Sequence, residues 1–376
     1  MYIFVTYFLI MKFKHIAFIC LIITTIVVLA CSENDNTPYT PIEPELESPV
    51  VLDLTQVPYQ KLSDYIFFED ELKEQKPVYG VIPFEPISAL FTDYALKKRF
   101  VWMPKGSKAS YTSDGEIFDF PTGTALIKNF YYDNVLPENT TKIIETRVMI
   151  KKEDGWIFAN YLWNDDQTEA FLDLEGRYVN LSWNQNGETK EANYRIPSET
   201  ECLTCHKKDE KAVPIGTKPQ HLNSLYTYSD GSQNQLMKWV EFGYLEGSSL
   251  PQNIQTLIDW KDTSQPLELR VRSYVDINCA HCHAEGSHCD YRPLRLAFSE
   301  NENPTNLGVC VTPDEYINSA LTYIVAPGNH ERSAMYYRLT TNEESLRMPL
   351  LGRSLVHEEA VDMIEDWINS LETVCK

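Results

Sequence analysis

From residue 51 to residue 197 apolar side chains recur mostly at every second position. The segments EIFDFP, ALIKNFYY, TKIIETRVMIKK, GWIFANYLWN, EAFLDL and GETKEANYRIP alternate in this way and are separated by Gly, Asn, Asp and Pro, which is the signature of short strands joined by turns. Within Lys142–Ile150, Ile144 and Val148 flank charged or hydroxyl neighbours as in a half-buried strand. This stretch predicts a β-rich domain, an open sandwich or a barrel. Its many Tyr and Trp side chains fit the packing of a sheet and its edges. After residue 198 the apolar spacing lengthens to three and four. GSQNQLMKWVEFGYL, PQNIQTLIDW and PLELRVRSYVDIN read as amphipathic helices, and His357–Leu371 puts Ala360, Val361, Ile364, Trp367, Ile368 and Leu371 on one stripe. The expected class is therefore α+β, with a β-rich domain over 51–197, a helical region over 198–265 and a further, mainly α-helical region over 266–376.

The amino-terminal end follows neither pattern. KFKH at 12–15 and the apolar run IAFICLIITTIVVLA at 16–30 describe an export signal, and Val28-Leu29-Ala30-Cys31 resembles a bacterial lipoprotein processing site at which Cys31 becomes the lipidated first residue. A transmembrane anchor is the alternative, although the run is short for a span and lacks a basic flank after it. Residues 31–50, rich in Pro, Glu and Asn, read as a disordered tether. The expected location is the bacterial cell envelope, lipid-anchored, with the body facing the periplasm or the exterior.

The 376 residues are 43% hydrophobic and 23% charged, which excludes wholesale disorder. Charge narrows the partners. With 54 acidic against 33 basic residues the net charge is -21, and without residues 1–30, which hold Lys12 and Lys14 and no acid, it is -23. Such a body repels nucleic acid and anionic headgroups. No phosphate-binding glycine string, H-E-x-x-H motif or nucleophile elbow is present.

The chemistry lies in two strings, Cys202-Leu203-Thr204-Cys205-His206 and Cys279-Ala280-His281-Cys282-His283. Both are C-x-x-C-H, in which two thiols on a turn attack the vinyl groups of a porphyrin and the adjacent imidazole takes the iron. Two covalent c-type haems are the expected cofactors, with His206 and His283 as iron ligands. Zinc thiolates or simple disulfides compete, but the 73-residue gap between the strings is long for one compact zinc site. Ser198 and Glu201 suit a capping box ahead of the first motif. Around the second, the amphipathic Leu267–Ile277, the Met348-Pro349 loop and the closing helix together resemble a class I cytochrome c over residues 266–376. That resemblance makes Met348 the sixth ligand, with the raised potential of His/Met coordination. For the first haem the sixth ligand is open among His221, Met237, Met103 and Met149. His288 and His330 offer a bis-His alternative at the second.

Phe91-Thr92-Asp93-Tyr94, Lys97-Lys98-Arg99-Phe100, Phe120-Pro121-Thr122-Gly123-Thr124, Glu145-Thr146-Arg147, Tyr161-Leu162-Trp163-Asn164, PSETECLTCH and NCAHCH together resemble a poorly characterised group of exported bacterial lipoproteins described as two-haem c-type cytochrome-like, over roughly residues 60–372. The resemblance implies haem attachment at Cys202, Cys205, Cys279 and Cys282 beside a β-rich domain. The leading expectation is electron transfer with a redox partner protein or a small-molecule donor or acceptor. A peroxidase or oxidase with one open haem, and a ligand-binding lipoprotein with an accessory redox module, are the alternatives. In an oxidising compartment the remaining thiols pair, and Cys289 with Cys310 is the expected disulfide, leaving Cys375 over.

Overall fold

Eight antiparallel strands form the central sheet of the described part of the chain, which comprises residues 46–376 and Met11 in a computed structural model. The export signal, the lipidation site Cys31 and most of the tether lie outside the described residues. The strands are β1 (Ile82–Phe84), β2 (Leu96–Trp102), β3 (Ala125–Val135), β4 (Thr140–Lys152), β5 (Gly155–Trp163), β6 (Ala170–Leu172), β7 (Arg177–Gln185) and β8 (Glu188–Ile196). Their order is β8-β7-β3-β4-β5-β6. On the free side of β3, β2 pairs along its first half, from Trp102 opposite Ala125 to Leu96 opposite Tyr131, and β1 adds to β2. Register shifts after Phe130 and Tyr132 turn the second half of β3 so that Val135 meets Trp183 of β7.

The strands of the sequence are present apart from EIFDFP, which runs as irregular chain, and β8 keeps the half-buried alternation while the central strands lose it. In β4 Ile143–Thr146 and Val148–Ile150 are buried without interruption. The cause is cover on both faces. Phe100, Ile127, Val148 and Ala159 pack beneath the segment containing Val57, Tyr65 and Phe67. On the other face Leu126, Met149 and Phe158 pack with Cys202, Leu222, Leu236 and Trp239. A sheet clothed on both sides loses its period-two signature because neither face meets water.

That second contact also removes the expected boundary at residue 198, since residues 202–245 share a core with the sheet. Residues 47–376 form one compact unit. Neither the helical region expected over 198–265 nor the mainly α-helical, cytochrome c-like region expected over 266–376 is formed, and the α+β class gives way to a β-rich fold. Its helices are short: α1 (Glu199–Cys205), α2 (Pro219–Leu222), α3 (Gln235–Glu241), α4 (Leu267–Val275), α5 (Ala334–Thr340) and α6 (Glu358–Ser370). PQNIQTLIDW, starting at a proline and holding few apolar residues, runs as irregular chain that buries Leu257 and Trp260. From His281 to Asn329 the chain is almost all turn and loop, as its density of Gly, Pro, Asn, Asp and Ser requires. The closing helix does form. α6 buries Ala360, Met363, Ile364, Trp367 and Ile368 against Trp260, Val271 and Tyr274 in a third core.

The disulfide expectation is corrected as well. Cys310 is bonded to Cys375, and Cys289 is a buried free thiol. The 65-residue separation explains why the pairing was not local: the C-terminal tail returns past α6 to the loop at Val309–Val311. On the loop-closure account a link of this span stabilises by about 4 kcal/mol. Peptide mapping without reduction should yield a Cys310–Cys375 cross-linked pair, and Cys375→Ser should lower chemical-denaturation stability by an amount of that order. A Cys289–Cys310 peptide would contradict the pairing.

Candidate functional site

The first C-x-x-C-H motif is carried by α1, which the sheet delivers directly from β8. Ser198 accepts from the Glu201 N–H at 3.3 Å while Glu201 accepts from the Ser198 N–H at 2.7 Å, so the expected capping box is formed. Arg195 adds an ion pair to Glu201 at 2.7 Å. The short helix ends at Cys205, and the His206 ring meets the edge of Phe158 at 5.4 Å. His206 Nδ1 donates to the Val213 carbonyl at 2.9 Å, which leaves the lone pair on Nε2. Burial lowers the His206 pKa to about 4, so the ring is neutral and able to ligate a metal at neutral pH.

The second motif follows α4 through a wide helical turn over Asp276–Ala280. His283 is also held neutral, its pKa lowered to about 4 by burial first and then by nearby His281 and arginine charge. Its Nδ1 is buried without a hydrogen-bond partner among the described residues. Met348 arrives from the loop before α6, where its carbonyl accepts from Arg353 Nε at 2.8 Å. The same guanidinium donates to the carbonyls of Arg338 and Thr341, at 3.0 and 2.8 Å. Arg353, which also donates to the Leu355 carbonyl at 3.3 Å, thus ties the Met348 loop to the end of α5 through one buried cation. The sequence offered no signal for it.

Each motif faces its own cleft. Cys279, Cys282, His283 and Met348 line one together with Tyr274, Leu294, Leu296 and Ile364, enclosing about 1180 Å³ of atom-free space counted to its open mouth. Cys202, Cys205 and His206 line the other with Leu126, Met149 and Phe158 of the sheet, about 1230 Å³ counted in the same way. Of the four candidates for a sixth ligand at the first motif, Met149 reaches this cleft. Met103 and His221 are buried elsewhere, and Met237 is half exposed. His288 lines the second cleft, whereas His330 does not and instead bonds Asn369.

The two clefts share a wall made by Cys205, Asn278, His281, Pro349 and Leu351. There the motifs touch. A ring nitrogen of His281 and the sulfurs of Cys205 and Cys282 lie within 4.8 Å of one another, and Cys282 Sγ is 3.5 Å from the Thr204 carbonyl. His206 and Cys279 stand 73 positions apart in the chain. The fold makes the motifs neighbours.

The segment Phe91–Tyr94 holds this wall. The Phe91 N–H donates to Asn278 Oδ1 at 2.8 Å, one residue before Cys279. Asp93 accepts from the Ser354 and Leu355 N–H groups at 2.6 and 2.8 Å and from the Ser354 hydroxyl at 2.9 Å. Phe91 stacks on His357 with ring centres 4.0 Å apart, at the start of α6.

Both clefts fit a flat, largely apolar cofactor with covalent sulfur links: each presents two thiols, a neutral imidazole and apolar side chains, to which the first adds Arg99, Lys128, Arg147 and Arg195. No protein-family model, curated protein or solved structure matches the chain. The assignment of chemistry therefore rests on these residues.

Behind the second motif Asp276 is fully buried and accepts from the Lys218 ammonium at 2.8 and 2.9 Å. Burial pushes its pKa up, but Lys218 and then His221 outweigh this and hold the carboxyl well below its ordinary value. A carboxylate whose folded pKa is depressed stabilises the fold above its unfolded pKa and loses that contribution as pH falls through the folded value. Asp276→Asn should therefore cost about 3 kcal/mol at neutral pH, the low end for breaking a buried pair. In denaturation curves the gap to the parent should narrow below about pH 4. A pH-independent gap would contradict the ion pair.

Proposed function

We propose that the chain is a two-haem c-type electron-transfer protein of the bacterial cell envelope. The observation that carries this reading is the pairing of each C-x-x-C-H motif with its own cleft, the two clefts meeting at Cys205 and Cys282. Cys202 and Cys205 hold one haem with His206 as iron ligand. Cys279 and Cys282 hold the other between His283 and Met348. Bound haem supplies a one-electron iron couple whose potential is set by the axial ligands and the dryness of its surroundings.

The protein's own part is positional. The Val213 carbonyl fixes the His206 tautomer. Arg353 holds the Met348 loop. Adjacent clefts allow an electron accepted at one to pass to the other without leaving the body. The acidic surface favours a redox partner that docks through basic residues. Lipidation at Cys31 would keep the body at a membrane. Among the described residues no helix is long and apolar enough to cross one.

A second reading has its own support, in that Cys205, His281 and Cys282 converge closely enough to ligate one metal ion. A structural zinc site takes four such ligands, and among the described residues these three converge without a fourth. A zinc site also has no use for two large clefts.

Expression with a cytochrome c maturation system, followed by denaturation, removal of free haem and intact-mass measurement, should give two covalent haems per chain. Replacing both cysteines of either motif by Ala should leave one. Met348→Ala should keep both, while its magnetic circular dichroism loses the near-infrared sulfur-to-iron band and the midpoint potential of that haem falls. Zero covalent haem with zinc retained would replace this proposal by the zinc reading.

A further inference from the structure

Three cations stand side by side across the sheet in the wall of the first cleft. Arg99 of β2 is directly opposite Lys128 of β3, which is directly opposite Arg147 of β4. Directly opposed residues share a face, so all three charges project to the same side, toward the cleft that Cys202, Cys205 and His206 also line. Arg195 of β8 lines that cleft too. Like charges in direct opposition destabilise a sheet, and burial makes the repulsion stronger.

The acids nearby leave this row under-compensated. Glu145 takes Arg147 in a two-pronged pair at 3.0 and 2.6 Å. Glu201 takes Arg195. Arg99, 7% exposed, has Glu85 at 4.0 Å and no closer acid among the described residues. Lys128, in the middle, has neither an ion pair nor a hydrogen bond among the described residues, and its ammonium rests 4.7 Å over the Phe130 ring. Burial and the neighbouring Arg99, Lys97 and Arg147 push its pKa well down. A fold does not keep such a row for stability. An anion that enters the cleft relieves the repulsion and gains desolvated, charge-assisted hydrogen bonds.

We propose that Arg99 and Lys128, flanked by Arg147 and Arg195, form a carboxylate-binding wall that receives the propionates of the haem held by Cys202, Cys205 and His206. The inference rests on the two-haem reading and gives the sheet a task within it. Porphyrin carboxylates enter with the cofactor and remain there, which suits a buried row better than a freely exchanging ion. Positive charge at the propionates favours the reduced haem, which carries one more negative charge than the oxidised form, so the wall raises that haem's potential.

The test uses the mature, haem-loaded protein with Lys128→Gln, Arg99→Gln and the charge-preserving Lys128→Arg. Covalent haem content is measured first, then the two midpoint potentials by spectroelectrochemistry from pH 5 to 9 at constant ionic strength. With two haems retained, Lys128→Gln and Arg99→Gln should each lower one of the two potentials. A tenfold loss of preference for the reduced state reads as about 59 mV for one electron. Lys128→Arg should restore most of the difference. Two haems with both potentials unchanged in the Gln variants would overturn the proposal. A saturable shift of the parent potential by formate that Lys128→Gln abolishes would overturn it in favour of a free anion. Absence of haem at Cys202 and Cys205 in the parent would overturn the two-haem reading and this assignment with it.

Discussion

The contact on which the architecture depends is the buried polar seam between Phe91–Tyr94 and the chain around the second motif. Asp93 bonds two backbone N–H groups and one hydroxyl after the Met348 loop, and Phe91 bonds Asn278 just before Cys279. A carboxylate taken out of water and satisfied by three donors fixes direction as well as distance. With Ser88, whose hydroxyl donates to the Ile258 carbonyl and accepts from the Trp260 N–H, this seam ties the third core, built around Trp260, Val271 and α6, to the chain that leads into β2. The shared wall at Cys205 and Cys282 depends on it.

Electrostatics give the two sides of that wall different characters. The cleft of the second motif is lined mostly by apolar side chains, and its Arg292 and Arg338 are paired with Asp314 and Glu315. The cleft of the first motif is bounded by the cationic row of the sheet. A molecule of net charge -21 that concentrates under-compensated, partly buried cations in one cleft has placed them against the trend of its composition. In a two-haem protein such asymmetry separates the two potentials and sets the direction in which an electron is held.

What was legible in the sequence was local. The capping box at Ser198 and Glu201, the strands between residues 125 and 196, and the stripe of α6 each depend on neighbours within a few positions. Non-local features were misread. Continuous burial of β4 comes from cover by distant segments, so Ile144 and Val148 looked half-buried. Apolar spacing after residue 198 suggested more helix than forms, because it does not separate a helix from irregular chain that buries every third or fourth side chain. Arg99, Lys128 and Arg147 belong to three separate strands, and strand register alone reveals that they are aligned. Cys375 is joined across 65 residues and gave no local sign of its partner. Of the candidate site residues, the two motifs and Met348 were visible from spacing and a following proline, whereas Arg353 and Asp93 act through backbone groups that sequence does not display.

Porphyrins held by the two motifs in adjoining clefts, as proposed, would be visible to Soret-region circular dichroism of the mature protein. Two haems whose attachment sulfurs lie at a shared wall should couple, giving a paired positive and negative band that disappears when either motif's cysteines are replaced and one haem remains. A parent spectrum equal to the sum of the two single-motif variants would contradict the shared wall.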